Sequence, residues 1–155
     1  MRTVRVERTL EAPIETAFDL LTDHAEYKRF RAVHGSKLLT EGRTERNGVG
    51  AVREVIIRPL RFIEEVTAFE RPTLMSYLIT DINVPFEHQG GTITLEPIDS
   101  GTRAVWTSTL RVPIPVIGGA TERLVWDPAL SRGFRRVLED VDRFAASDPL
   151  AAPAG

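Results

Sequence analysis

The sequence predicts an α+β domain in which one curved antiparallel sheet grips one long helix. Three observations carry this. From Arg43 to Val112 the chain reads as almost unbroken antiparallel strand; its only long helical pattern runs from Asp127 to about Ala146; and a short strand followed by a short helical stretch precedes the strand run. One curved sheet and one helix do not fill the space between them with main chain. What remains is side chain or a cavity for an apolar guest.

The elements follow in order. In TVRVERTL, Val4, Val6, Arg8 and Leu10 share one face and Arg5, Glu7 and Thr9 the other, the alternation of a half-buried strand. Pro13 suits the first position of a helix, and Ile14, Ala17, Phe18 and Leu21 follow at helical spacing, so PIETAFDLLTD reads as a short amphipathic helix. A second helical turn, HAEYKRF, brings Tyr27 and Phe30 to one side. The glycines of RNGVG favour a tight connection at Asn47 to Gly50, between a strand around Lys37 to Arg43 and the next, Ala51 to Arg58. Later breaks fall at Arg58 to Arg61, Glu70 to Thr73, Asn83 to Phe86 and Asp99 to Gly101, so the strands between them are joined as hairpins. In the last helix Pro128 fits the first turn after Asp127, and Leu130, Phe134, Val137, Leu138, Val141, Phe144 and Ala145 form one apolar stripe. GGATERLVW before it also has helical character, which leaves open one longer helix kinked at Pro128.

Composition removes several functional classes. The 155 residues suffice for one domain with one substantial core. With no cysteine, disulfides, thiolate metal sites and cysteine nucleophiles are excluded. His24, His34 and His88 show no metal-ligand spacing, and neither a nucleophile elbow nor a phosphate-binding glycine loop is present, so no metal and no cofactor are expected. A net charge of −2 gives no overall attraction to nucleic acid, and the cluster Lys28, Arg29 and Arg31 reads as a solvated rim. The chain has no apolar run long enough for a membrane span and no apolar core in its first residues, so a cytoplasmic location is expected.

Sorting each strand by face gives candidate interior groups. Phe62, Glu64 and Val66 face inward on one strand, Gln89 and Ile93 on another with His88 outward, and Trp106, Ser108 and Leu110 on a third; Tyr77 is placed inside with Met75 and Ile79. Such a wall, apolar with isolated polar groups, has the composition of a small-molecule pocket, and equally of an ordinary core with satisfied polar side chains. Glu64 is the ionisable group that alternation turns inward. A carboxylate facing Phe62 and Val66 loses hydration and needs a cationic partner or a proton. Arg8 is the first candidate partner and Arg53 the second; the alternative is a solvated ion pair at the sheet edge or cavity mouth.

The opening VERTLEAPIETAFDLLTDHAEYKRF, the segments NGVGAVREV, IEEVTAFERPTLMSYLI and SGTRAVWTSTLRVPIP, and the long closing helix together resemble the START-like (SRPBCC) superfamily, in its polyketide cyclase/dehydrase-type branch. The resemblance implies a helix-grip fold like that of Bet v 1: a seven-stranded antiparallel sheet around the C-terminal helix, two short helices after the first strand, and a deep hydrophobic cavity. It implies a single domain over residues 1–146; the small, Pro-interrupted segment ASDPLAAPAG that ends the chain reads as a flexible tail over 147–155. The expected function is non-catalytic binding of a small hydrophobic molecule (lipid, polyketide or aromatic), by a monomer or weak homodimer. The expected cavity residues are Tyr27, Phe30, Phe62, Glu64, Val66, Tyr77, Gln89, Ile93, Trp106, Ser108, Leu110, Leu130 and Phe134. Two alternatives stay open: a metal-free cyclase or dehydratase in which Glu64 acts on an enolisable ligand, and a regulatory module that binds a partner through its arginine-rich rim.

Overall fold

A computed structural model of the chain describes residues 1–111 and 127–147. Seven strands form one antiparallel sheet: β1 (Arg2–Leu10), β2 (Gly35–Thr40), β3 (Val52–Ile57), β4 (Leu60–Glu70), β5 (Leu74–Ile82), β6 (Glu87–Ile98) and β7 (Gly101–Arg111), in the spatial order β1-β7-β6-β5-β4-β3-β2. Every neighbouring pair from β2 to β7 is a sequence-consecutive connection, as the turn residues predict, and β1 closes against β7 with Val6 opposite Trp106. Between β1 and β2 lie helix α1 (Ile14–Thr22) and a single 3-10 turn, Tyr27–Arg29. The second short helix expected from the sequence is therefore only this turn. Its apolar pair is intact: Tyr27 and Phe30 meet edge to face at 4.9 Å.

Helix α2 (Asp127–Ser147) supplies the other wall of the core. Val137, Leu138, Val141 and Ala145 of its apolar stripe are buried. Two carboxylates on α2 fix its position. Asp140, fully buried, accepts Arg31 N–H at 2.9 Å and Arg31 Nε at 2.7 Å, while Asp142 accepts the Glu11 and Ala12 amides at 3.2 and 3.0 Å. Hydrogen bonds to a charged acceptor are stronger than neutral ones, so these contacts seat the helix on the loop before α1 and on the loop between the 3-10 turn and β2. The alternative of one longer helix kinked at Pro128 involves residues outside the described ones, as does the expected tail beyond Ser147.

Two departures from regular pairing matter for the interior. Between His88 and Gly90 the register of β6 on β7 shifts: His88 lies opposite Leu110 and Gly90 opposite Thr109. Gly90, at φ +137°, takes a conformation that side chains other than glycine's rarely adopt. The bulge reverses the alternation upstream of it. Gln89, expected inside, is exposed, and His88, expected outside, turns inward. On the other edge of β6, pairing with β5 stops at Tyr77 opposite Gly91, and beyond that point the Ile79 amide donates to His88 Nδ1 at 2.9 Å in place of a strand partner.

Candidate functional site

The concave face of the sheet and the first turns of α2 enclose a cavity of about 200 Å³. Nine of the thirteen residues expected at a cavity line it: Tyr27, Phe62, Glu64, Tyr77, Trp106, Ser108, Leu110, Leu130 and Phe134. Phe30, Val66 and Ile93 are buried in the packed core, outside the lining, and Gln89 faces solvent because of the bulge. Pairing across β7 and α2 is tight: the Trp106 and Phe134 rings stack at 4.2 Å with their planes 5° apart. Sequence reasoning missed Ala32, Gly133 and the segment carrying Ile82, Val84 and Phe86, which line the cavity, and Arg53, weighed only as the second candidate partner of Glu64, lines it as well.

At one side of this apolar space is a buried ionic group. Arg53, on β3, lies directly opposite Glu64, on β4, and its Nε donates to Glu64 Oε2 at 2.6 Å. Both are buried, with 2% and 8% of their surfaces exposed. Arg8, the first candidate partner, is excluded by topology: β7, β6 and β5 lie between β1 and β4, and Arg8 instead approaches Glu139 of α2 at 3.8 Å. The guanidinium of Arg53 also sits over the Tyr27 ring, 4.4 Å from its centre, and its Nη1 meets His24 Nδ1 at 3.2 Å. Burial works most strongly against the charge on Arg53, but Glu64, Tyr27 and Tyr77 together outweigh it, and the pKa of Arg53 is raised. Glu64 Oε1, by contrast, has no hydrogen-bond partner among the described residues.

The protonation of His24 follows from its neighbours. Its Nε2 lies 2.9 Å from the Asn47 carbonyl, which only accepts, so Nε2 carries the proton and Nδ1 receives Arg53. Burial, with the adjacent Arg53 charge, lowers its pKa to about 3, so the ring is neutral. Tyr27 is held by the 3-10 turn, which Ser36 of β2 clamps by donating to the Ala25 carbonyl at 3.0 Å and accepting the Lys28 amide at 2.8 Å. Its hydroxyl is buried without a hydrogen-bond partner among the described residues, and burial raises its pKa, so it keeps its proton.

A second polar group lies farther along the sheet. Trp106 Nε1 donates to the Tyr77 hydroxyl at 3.0 Å, and His88 Nε2 lies 2.9 Å from Ser108 Oγ. The Tyr77 ring stacks on His88 at 5.7 Å and crosses over Gly91, where a Cβ atom would stand well inside contact distance of the tyrosine ring and hydroxyl. Gly91 is therefore what lets Tyr77 lie flat on β6. Burial lowers the pKa of His88 to about 4 and raises that of Tyr77 to about 12, so both stay neutral. No group of three or more metal-ligating side chains occurs among the described residues, and no described helix is long and apolar enough to cross a membrane.

Comparison with solved structures gives the same architecture. A protein of Thermus thermophilus, TTHA0849, is 22% identical, with a TM-score of 0.73, over 95% of this chain and 100% of that one. A START superfamily protein of Mycobacterium smegmatis is 15% identical, with a TM-score of 0.74, over 92% and 98%. Ara h 8.0201 is 15% identical, with a TM-score of 0.69, over 95% and 99%. At these identities the likeness establishes the fold alone. No curated protein sequence matches the chain. The sequence model of one family, described as polyketide cyclase / dehydrase and lipid transport, matches residues 1–145. With nearly the whole chain matched and the helix-grip architecture in place, this protein belongs to the polyketide cyclase / dehydrase and lipid transport family.

Proposed function

We propose that the protein binds a small hydrophobic molecule in the cavity between the sheet and α2, and that it carries or senses this molecule without converting it. The observation that supports this most strongly is the cavity itself: about 200 Å³ of apolar-walled space in which the polar groups are few and largely committed to one another. An apolar cavity of about 150 Å³ is enough to hold benzene, so this one suits a guest of one or two fused rings or a short branched chain. Burial at roughly 25 cal/mol per Å² holds such a guest without a reactive group. Both nitrogens of His24 and both of His88 already have partners, which leaves neither ring free to shuttle a proton.

A second reading is supported by the free Oε1 of Glu64. Glu64 lines the cavity, and a carboxylate there is the group that would take a proton from an enolisable guest, as a cyclase or dehydratase requires. Native mass spectrometry of protein purified from its own host, followed by proton exchange of a bound methyl ketone in deuterated water, distinguishes the two. A co-purified apolar molecule with no accelerated exchange supports binding alone. Exchange that disappears in Glu64→Gln supports catalysis, and a co-purified protein without a small molecule contradicts both.

A further inference from the structure

Among the described residues, the hydroxyls of Tyr77 and Ser108 hold more hydrogens than their neighbours accept. The Ile79 amide donates to His88 Nδ1, so that nitrogen is unprotonated and the ring proton lies on Nε2. Nε2 then donates to Ser108 Oγ at 2.9 Å, just as the Trp106 indole N–H, which has no acceptor capacity, donates to the Tyr77 oxygen at 3.0 Å. Each hydroxyl oxygen is thus met by an N–H donor while its own hydrogen still needs an acceptor. If one hydroxyl turns to the other, one hydrogen is still left over, and both residues line the cavity. Near neutral pH neither His88 nor Tyr77 changes its charge to relieve the surplus.

We infer that the Tyr77–Ser108 position is a hydrogen-bond-donating subsite that takes the carbonyl oxygen of a neutral, otherwise apolar ligand. This rests on the cavity-binding reading and names the ligand class within it. An anionic guest is disfavoured because Arg53, the one cation among the described lining residues, is already committed to Glu64, which leaves a second carboxylate desolvated without a counter-charge. Neutral ketones, esters and quinones fit this arrangement; fatty acids and other carboxylates do not. His88 is a positioning residue: its ring, held by the Ile79 amide, fixes which way the Ser108 hydroxyl points. Gly90 and its bulge put it there.

The test uses the full-length protein and three probes: 2-acetylnaphthalene labelled with carbon-13 at its carbonyl, 2-ethylnaphthalene, and 2-naphthoate. The infrared carbonyl stretch of the bound ketone should lie below its value in a hydrocarbon solvent, and Ser108→Ala or Tyr77→Phe should move it back toward that value. Loss of one neutral hydrogen bond, about 1 kcal/mol, corresponds to about fivefold weaker ketone binding in either variant, with 2-ethylnaphthalene binding unchanged. The naphthoate should bind more weakly than the ketone. A bound ketone with an unshifted stretch overturns the subsite while leaving the cavity reading in place, and this reading of the wild-type protein does not depend on either variant folding. Tighter binding of naphthoate than of ketone also overturns it. If neither neutral probe binds, the subsite and the cavity reading fall together.

Discussion

Replacing Arg53 by Met removes the counter-charge of Glu64 while keeping much of the side chain's length. Glu64 is 8% exposed, and its only side-chain partner among the described residues is the Arg53 Nε at 2.6 Å. Truncating one member of a buried ion pair costs about 3–5 kcal/mol, because the other charge is left without compensation. The same change removes the donor to His24 Nδ1 and the cation over the Tyr27 ring, which places the expected cost toward the top of that range. In a chain of this length that is a fall in Tm of roughly 10–20 °C. Urea unfolding of Arg53→Met, Glu64→Leu and the double variant measures it. The double variant should be far more stable than the two single losses imply, with a coupling of about 2–3 kcal/mol, since two apolar groups replace the pair with neither charge orphaned. Single-variant losses below about 1 kcal/mol, or losses that simply add, would refute the buried pair.

Other outcomes follow from the same geometry. The pKa of His24 is lowered to about 3 and that of His88 to about 4, so between those values and about 6.5 the unfolded chain binds more protons than the folded one. Stability should therefore be full above about pH 6.5 and fall as the pH drops through that window; imidazole chemical shifts that show either ring charged at pH 6 would contradict this. Gly91→Ala should cost about 1–3 kcal/mol by forcing Tyr77 off β6, and should lower the near-ultraviolet signal of Tyr77 and Trp106; unchanged stability would mean that the ring does not cross the strand. Gly133→Ala, where nothing lies within 4 Å of the added methyl, should stabilise α2 by up to about 1 kcal/mol in thermal unfolding. Arg8→Met should change stability by less than about 1 kcal/mol in the same assay and leave ligand binding intact, because its contact with Glu139 is half exposed and remote from Glu64.

Most of the fold was legible because its information is local. Alternation located the strands, turn residues located their ends, and a long apolar stripe with Pro128 in its first turn located α2. Arg53 was the better partner for Glu64 on evidence the sequence contained. A two-residue turn at Arg58–Pro59 places Ile57 opposite Leu60, and counting back along the hairpin places Arg53 opposite Glu64. Face assignment ranked Arg8 ahead of Arg53, because the faces of AVREVII are ambiguous in sequence; register reverses that order. The exchange of His88 for Gln89 had a weaker signal, the Gly90–Gly91 pair inside a strand pattern, which marks a bulge or a close approach without saying which. Both occur here, at adjacent positions. The lining residues Ile82, Val84 and Phe86 lie at and beyond the end of β5, where periodicity has ended and only the tertiary structure decides what faces inward.

The cavity itself is tested most directly at Gly133. This residue lines the cavity from α2, and a side chain added there meets open space. 1-Naphthylamine, a neutral two-ring fluorophore within the size the cavity allows, should bind the wild-type protein with one saturable site and a blue shift of its emission. Gly133→Leu should keep the fold and its thermal stability while abolishing that binding, because the new side chain occupies the space the probe needs. Undiminished binding by a folded Gly133→Leu variant, or no saturable binding by the wild-type protein, would contradict an internal ligand cavity between the sheet and α2.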